Sequence, residues 1–461
     1  MTTLFWHRQD LRTRDNIGLI QAAQNEDAIP VYVRDPSVHG NLGVNQKAFV
    51  EQGLQKLDDK YRELGSGLVV SDGNTAEQLQ ELADSFNADN LLYNKAIDPR
   101  RKSVAENVEE AFDDTEIETR SFQDRLLVDP SKLEPSYPSF SQFYNDWKEE
   151  PKKSAVRSPR EGELVEVDSS VPEPSQPEAD LPEAGYDGAN QRFTRFLDNK
   201  IKHYKDERDN MRDIGVSKMS MYISNGMMGM REILERAVLR MDGAGSDGRR
   251  NIAKYRNELG WREWFQYLMY YNPETVQENY KDMKPVEWRD NPEHLQAWKR
   301  GETGVPMVDA GMRQMLNEGY MHNRTRQNVA SFLTKHLLID WREGARHFEE
   351  KLADHDTASN YGSWQWSAST GTDSVDVRIF SPVKQGRKVR PRSRLHPAPR
   401  RRTRGTRYGR HPRLGQEIRP RAPAAPGTAR NQLPRPHSEL RPALRRGQKG
   451  VQPGARQGLR P

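Results

Sequence analysis

The chain of 461 residues contains no cysteine, which excludes disulfides, thiol catalysis and cysteine-ligated metals. It also lacks any apolar run approaching the length of a membrane span. Its first residues, MTTLFWHRQDLRTRDN, turn polar too soon for a secretory signal. The expectation is a soluble, cytoplasmic, monomeric protein with no membrane partner. No G-x-G-x-x-G follows the first apolar run, so a dinucleotide-binding Rossmann site has no support. What remains is 34% hydrophobic, enough to build cores, and a length that suggests two or three domains.

The net charge of +5 averages two unlike pieces. Residues 389–461 hold 19 Arg and one Lys against only Glu417 and Glu439. Taking these from the totals of 72 basic and 67 acidic residues leaves 52 and 65 for residues 1–388, a net of −13. Contact with a polyanion would therefore rest on a local basic patch in an acidic body. The Arg/Pro/Gly-rich tail reads either as a disordered nucleic-acid-binding arm or as a frameshift product. Val389-Arg-Pro-Arg-Ser-Arg394 can be coded so that loss of one nucleotide gives Tyr-Asp-Pro-Glu-Ala, in keeping with the acidic body. The frameshift is the favoured reading, and the tail is not assigned a fold.

Within the body, 3–6, 29–34, 67–71 and 90–93 are short apolar runs, the pattern of buried parallel strands. Helical patterns near 46–64, 75–87 and 100–112 separate them. Strand-helix alternation predicts an α/β, doubly wound parallel-sheet domain over residues 1–130. A Pro/Glu/Ser-rich connector follows over 131–188, most plainly PEPSQPEADLPEAG. From 189 to 388 helical periodicity dominates, so the second domain is all-α, with a Gly/Ser-containing interruption around 357–375. Seven of the nine Trp lie between Trp261 and Trp366. Any one of them is ordinary core, but seven among Arg, Asn and Asp also suit stacking on planar ligands.

Four stretches are specific: WHRQDLRTRDN (6–16), NELGWREW (257–264), the run from GETGVPMVDAGM to LLIDWREGA (301–345), and DHDTASNYGSWQWSASTGTD (354–373). Together they closely resemble the DNA photolyase/cryptochrome family. The resemblance implies an α/β antenna domain, a long connector and a helical domain holding FAD. It also implies light-driven repair of cyclobutane pyrimidine dimers in damaged DNA, a lyase reaction in which reduced flavin lends one electron. A cryptochrome-like photoreceptor with weak or single-strand-limited repair is the alternative.

The resemblance also implies roles, position by position. Asp354, Asp356 and Asn360 match residues at the flavin ring and ribityl chain, with Asn360 at flavin N5, where a carboxamide can donate or accept. Arg326 matches the arginine paired with the first of these aspartates. The run Val216–Ser220 matches a Thr-Ser-Arg-Leu-Ser segment that holds FAD phosphates, so Ser217, Lys218 and Ser220 are candidates, with Tyr204 nearby. Val216 and Lys218 depart from the pattern and remove a hydroxyl and a fork of donors. Glu258 and Trp261, one helical turn apart, match the residues that hydrogen-bond and stack on the flipped-out dimer. Asn323, Arg324, Gln327 and Trp366 match the wall facing the lesion. Asn323 stands where the (6-4) repair branch carries histidine. Gln327 replaces the usual Met and leans toward the DASH cryptochromes, which prefer single strands. Trp364, Trp341 and Trp288 match an electron-relay chain to the surface. Arg8, Asp10, Arg12 and Asp15 match a signature that is mainly structural. The stretch 93–108 lacks the folate-binder pattern, so a second antenna chromophore, deazaflavin or folate, has no assigned identity. His7, His322, His347 and His355 read as non-metal.

Overall fold

Five strands form one parallel sheet in the computed structural model: β1 (Thr3–His7), β2 (Ala28–Arg34), β3 (Val69–Asp72), β4 (Asn90–Asn94) and β5 (Glu118–Phe122), in spatial order β3-β2-β1-β4-β5. The structure describes residues 1–25, 27–211, 215–373, 379, 380 and 382; the basic tail 389–461 lies outside the described residues. The register places Leu4 beside Ile29 on one side and Leu91 on the other. Side chains alternate across β1. Leu4 and Trp6 enter a core under the helices Thr75–Phe86 and Pro99–Phe112. Phe5 points the other way, toward Phe49 and Leu54 of the helix Val44–Glu63. Both faces are thus covered, which is why β1, β2 and β4 read as apolar runs. The sequence reading overlooked β5. Its residues ETRSF are exposed or half-buried, as at a sheet edge, and carry no apolar run.

The core behind Phe5 continues without a break into the helical half, through Phe193, Tyr222, Tyr255 and Trp264. A second cluster, with Trp298, Met312, Leu333, Trp341, Phe348 and Trp364, fills the remainder of that half. The loop after β1 locks the two parts together. Arg231 donates to Asp15 Oδ1 and to Asp124 Oδ1, both at 2.6 Å, and Arg12 donates to Asp124 Oδ2 at 2.5 Å. All four side chains are at most 4% exposed. Buried charges persist only when paired and hydrogen-bonded, so the signature residues Arg12 and Asp15 join the sheet to the helix Met230–Leu239. Asp15 has φ +55°, and Gly226 (φ +70°) passes so close that a Cβ there would meet Gln9 O at 1.9 Å.

Residues 151–184 run without helix or strand, apart from a bridge between Leu164 and Ala28, and lie along the α/β half. The connector is not uniformly extended, however: Phe140–Glu149 is a helix that buries Phe143 and Trp147. The expected interruption at 357–375 is also corrected. Thr357–Ala368 is a helix capped by Asp356, whose side chain accepts from Ser359 N, and it ends at Ser369 (φ +68°). Only Ser363 along it is exposed. A helix buried nearly all round has no polar stripe to betray its period.

Candidate active site

Six helices and the loops between them line a cavity of about 490 Å³ in the helical half, within the range of small-molecule and cofactor sites. The longest, Ser246–Tyr271, contains no proline and runs 26 residues along one wall. Its Gly260 lets Tyr144 approach, since a Cβ would meet that ring at 2.6 Å. From this helix Glu258 and Trp261 reach the cavity. From Asn323–Phe332 come Asn323, Arg326 and Gln327, and from Thr357–Ala368 come Asn360, Trp364 and Trp366. Asp354 and Asp356, just before the last helix, and Tyr204, Ser217 and Ser220 complete the expected set.

Two of the residues expected to bind cofactor or lesion do not line this cavity. Lys218 (φ +52°) and Arg324 line a smaller adjoining pocket of about 160 Å³. The Lys218 ammonium is 2.9 Å from Glu318 Oε2 and lies over the Tyr320 ring. Arg324 donates to Asp209 at 2.6 Å and to Gln327 Oε1 at 2.8 Å.

The carboxylates are held firmly. Arg326 Nη2 donates to both oxygens of Asp354, at 2.6 and 2.9 Å, while its Nε donates to Met321 O. Asp356 accepts from Arg125 at 2.5 Å and from Gln266 at 2.7 Å. Burial pushes the Asp356 carboxyl up, but Arg125, Arg262 and the Ser359 hydrogen bonds outweigh it and hold the group well below the usual carboxylate range. Asn360 donates one amide N–H to Ala345 O at 3.0 Å, which fixes the carboxamide plane and leaves its oxygen and second N–H. Burial raises the Tyr204 phenol far above its ordinary value, with Glu258 adding to the effect, so it stays protonated.

Several participants were missed by sequence reasoning. Arg208, four residues beyond Tyr204, forms an ion pair with Glu258 Oε1, and Lys254 adds a second at 2.7 Å. Phe140 stacks on Trp261 with ring centroids 3.7 Å apart and planes 13° from parallel. Phe140 itself does not line the cavity, whereas Trp261 does. The i,i+4 spacing of Glu258 and Lys254 was the one legible signal among these contacts.

Of the three relay candidates, Trp364 is 2% exposed and lines the cavity. Gly344 makes room for it, since a Cβ there would meet the indole at 2.1 Å. Trp341 is fully buried in the same cluster, and Trp288 packs half-buried against its edge. Trp298, not singled out from the sequence, meets Trp364 edge-on with centroids 6.0 Å apart.

A doubly wound sheet locked to a helical body, with an aromatic-walled cavity bearing carboxylates, a carboxamide and hydroxyls, defines a two-part flavoprotein. The residues present suit FAD: Trp364, Phe265 and Phe348 offer apolar wall for a ring system, and the polar set offers both donors and acceptors. Residues 3–161 match the DNA photolyase family and residues 255–395 match the FAD binding domain of DNA photolyase. The chain is 37% identical over 417 residues to the deoxyribodipyrimidine photo-lyase of Halobacterium salinarum, covering 84% of this chain and 86% of that one. It is similar to the crystal structure of a class III photolyase from Agrobacterium tumefaciens, with 31% identity, TM-score 0.78 and 84% of each chain covered. It is also similar to an archaeal photolyase from Sulfolobus tokodaii, solved with two FAD molecules, with 29% identity and TM-score 0.73 over 85% of this chain and 88% of that one. The chain belongs to the DNA photolyase family; it is an enzyme, and FAD is its cofactor.

Proposed function

We propose that the protein repairs cyclobutane pyrimidine dimers in DNA under light. The observation that carries this reading is the meeting of Glu258 and Trp261 with Arg326, Asp354 and Asn360 around one cavity. Reduced FAD, when bound, supplies the photo-excited electron that splits the dimer and then regains it. The residues of the chain do the rest. Asp354 with Arg326, Asp356 and Asn360 would hold the ring and ribityl chain, and Ser217, Ser220 and Tyr204 the phosphates. Lys218, turned to Glu318, would contribute from the adjoining pocket. Trp261, braced from behind by Phe140, offers a flat face to a base swung out of the helix. Unpaired or damaged bases leave the stack at least cost. Glu258 would accept or share hydrogen bonds with the dimer, its place set by Arg208 and Lys254. Asn323, Arg324, Gln327 and Trp366 would form the wall around the lesion. Trp364, Trp341 and Trp288 would pass an electron inward to keep the cofactor reduced.

The organisation proposed is an antenna domain over 1–130, a connector over 131–188 and an FAD and lesion domain over 189–388. A second chromophore in the antenna domain is part of the proposal, as is action as a monomer in the cytoplasm. The test is direct: FAD-loaded protein, an oligonucleotide carrying one thymine dimer, and blue light. Restored thymines support the reading, and an unchanged dimer with FAD bound refutes it. Single- and double-stranded substrates run in parallel report the strand preference to which Gln327 points.

A further inference from the structure

Trp341 sits at a junction. Its indole is fully buried, and its N–H donates to Asn279 Oδ1 at 3.1 Å. The ring of Tyr361 meets it edge-on, with centroids 6.1 Å apart and planes at 86°. The Tyr361 hydroxyl donates to Glu349 Oε2 at 2.9 Å, and the other oxygen of Glu349 accepts from Arg100 at 2.8 Å. Tyr361 is 8% exposed, the Glu349 side chain 15% and that of Arg100 56%, so the three step outward to solvent. None of them lines the cavity, and cofactor and lesion binding do not use them.

The chemistry of a phenol gives this arrangement meaning. A one-electron-oxidised phenol is a very strong acid, so tyrosine yields an electron readily only when its proton has somewhere to go. A carboxylate already accepting the phenolic hydrogen bond is such a place, and an arginine on its far side keeps it oriented. Burial, then Glu349, hold the Tyr361 phenol above its ordinary value against the opposing Arg100 and Arg346, so at rest the proton stays on oxygen.

We propose that Tyr361 is a terminal electron donor branching from the tryptophan relay at Trp341, with Glu349 as its proton acceptor. The inference rests on the relay set out under the proposed function. The step balances as follows. Trp341, having lost one electron toward photo-excited oxidised flavin, takes one electron from Tyr361. The phenolic O–H bond breaks, its proton passes to Glu349 Oε2, and Tyr361 is left as a neutral radical while Trp341 is again neutral. A solvent thiol, as one-electron and proton donor, later restores Tyr361. Moving the hole off the buried indole without leaving net charge behind slows its return to the cofactor.

The test uses the full chain loaded with oxidised FAD and flashed with blue light, with aromatic radicals identified by electron paramagnetic resonance and transient absorption. Wild type is expected to end on a neutral tyrosyl radical that forms more slowly in deuterium oxide. Tyr361→Phe should lose that signal and leave a shorter-lived tryptophan radical. Glu349→Gln, which leaves the phenol in place, should slow or abolish tyrosyl formation. Tryptophan radicals alone in wild type, or the same tyrosyl signal in Tyr361→Phe, overturn the inference and leave the relay standing. A wild type that binds FAD but yields no aromatic radical overturns the relay and the branch together.

Discussion

Replacing Phe140 by Leu tests whether the surface proposed to receive a flipped base is set from behind. Phe140 lies 3.7 Å from Trp261, ring to ring, and Tyr144 stacks in turn on Phe140 at 5.3 Å. Leucine preserves most of the apolar volume but removes the parallel ring. An aromatic pair is worth about 0.5–1.5 kcal/mol beyond its buried area. A side chain freed in the unbound protein and fixed again on binding costs about 0.5–1.5 kcal/mol. These figures describe the same loss of order from two directions, so the expected weakening is about 1 kcal/mol, or roughly fivefold in Kd. The assay is fluorescence anisotropy in the dark, at one fixed salt concentration, with a single-stranded oligonucleotide carrying one thymine dimer. Undamaged DNA serves as the control, because its affinity comes from phosphate contacts and should not change. A Phe140→Leu protein that keeps its FAD and binds the dimer within twofold of wild type would refute the bracing argument.

Arg326→Met leaves Asp354, whose side chain is 2% exposed, without its cation, and breaking such a pair typically costs about 3–5 kcal/mol. FAD affinity, read by quenching of flavin fluorescence, should fall by about tenfold or more. His347 is pushed down to about 4 by burial and by Lys299, against the pull of Glu350. The unfolded chain takes up this proton near pH 6.5 and the folded chain does not, so the contribution is complete above that pH. It is lost as pH falls toward 4, by on the order of 3 kcal/mol. His347→Gln should therefore flatten the acid limb of a thermal-unfolding series. Lys335 is lowered to about 7 by burial and by Lys281. Between pH 7 and about 10.4 the unfolded chain binds the proton and the folded chain does not, so stability rises with pH there. Lys335→Met should remove that rise, and an unchanged slope would contradict it.

The parallel core of the sheet was legible because β1, β2 and β4 are covered on both faces and must be apolar throughout. The edge strand β5 was not, since ETRSF needs only backbone pairing to β4. The helix 140–149 was hidden between Pro138 and Pro151, in a stretch whose composition reads as connector. At the cavity, the motifs of 257–264 and 354–373 identified residues that do converge. What they could not show is which partners hold those residues. Arg125 reaches Asp356 across 231 positions, and Phe140 reaches Trp261 from another helix. Contacts of that kind are set by tertiary packing and leave no local period. Lys218 illustrates the same limit: its place in the run Val216–Ser220 was clear, whereas its turn toward Glu318 follows from a left-handed backbone that the sequence does not announce.

The core shared between the sheet and the helices has a consequence for anyone cutting this protein apart. Expressed alone, the helical portion would bare the aromatic floor around Phe193 and Tyr222 and leave Arg231 without both of its acidic partners. Neither piece should survive as a soluble module, so swapping α/β halves between relatives will require carrying Asp15, Asp124 and Arg231 across as one unit.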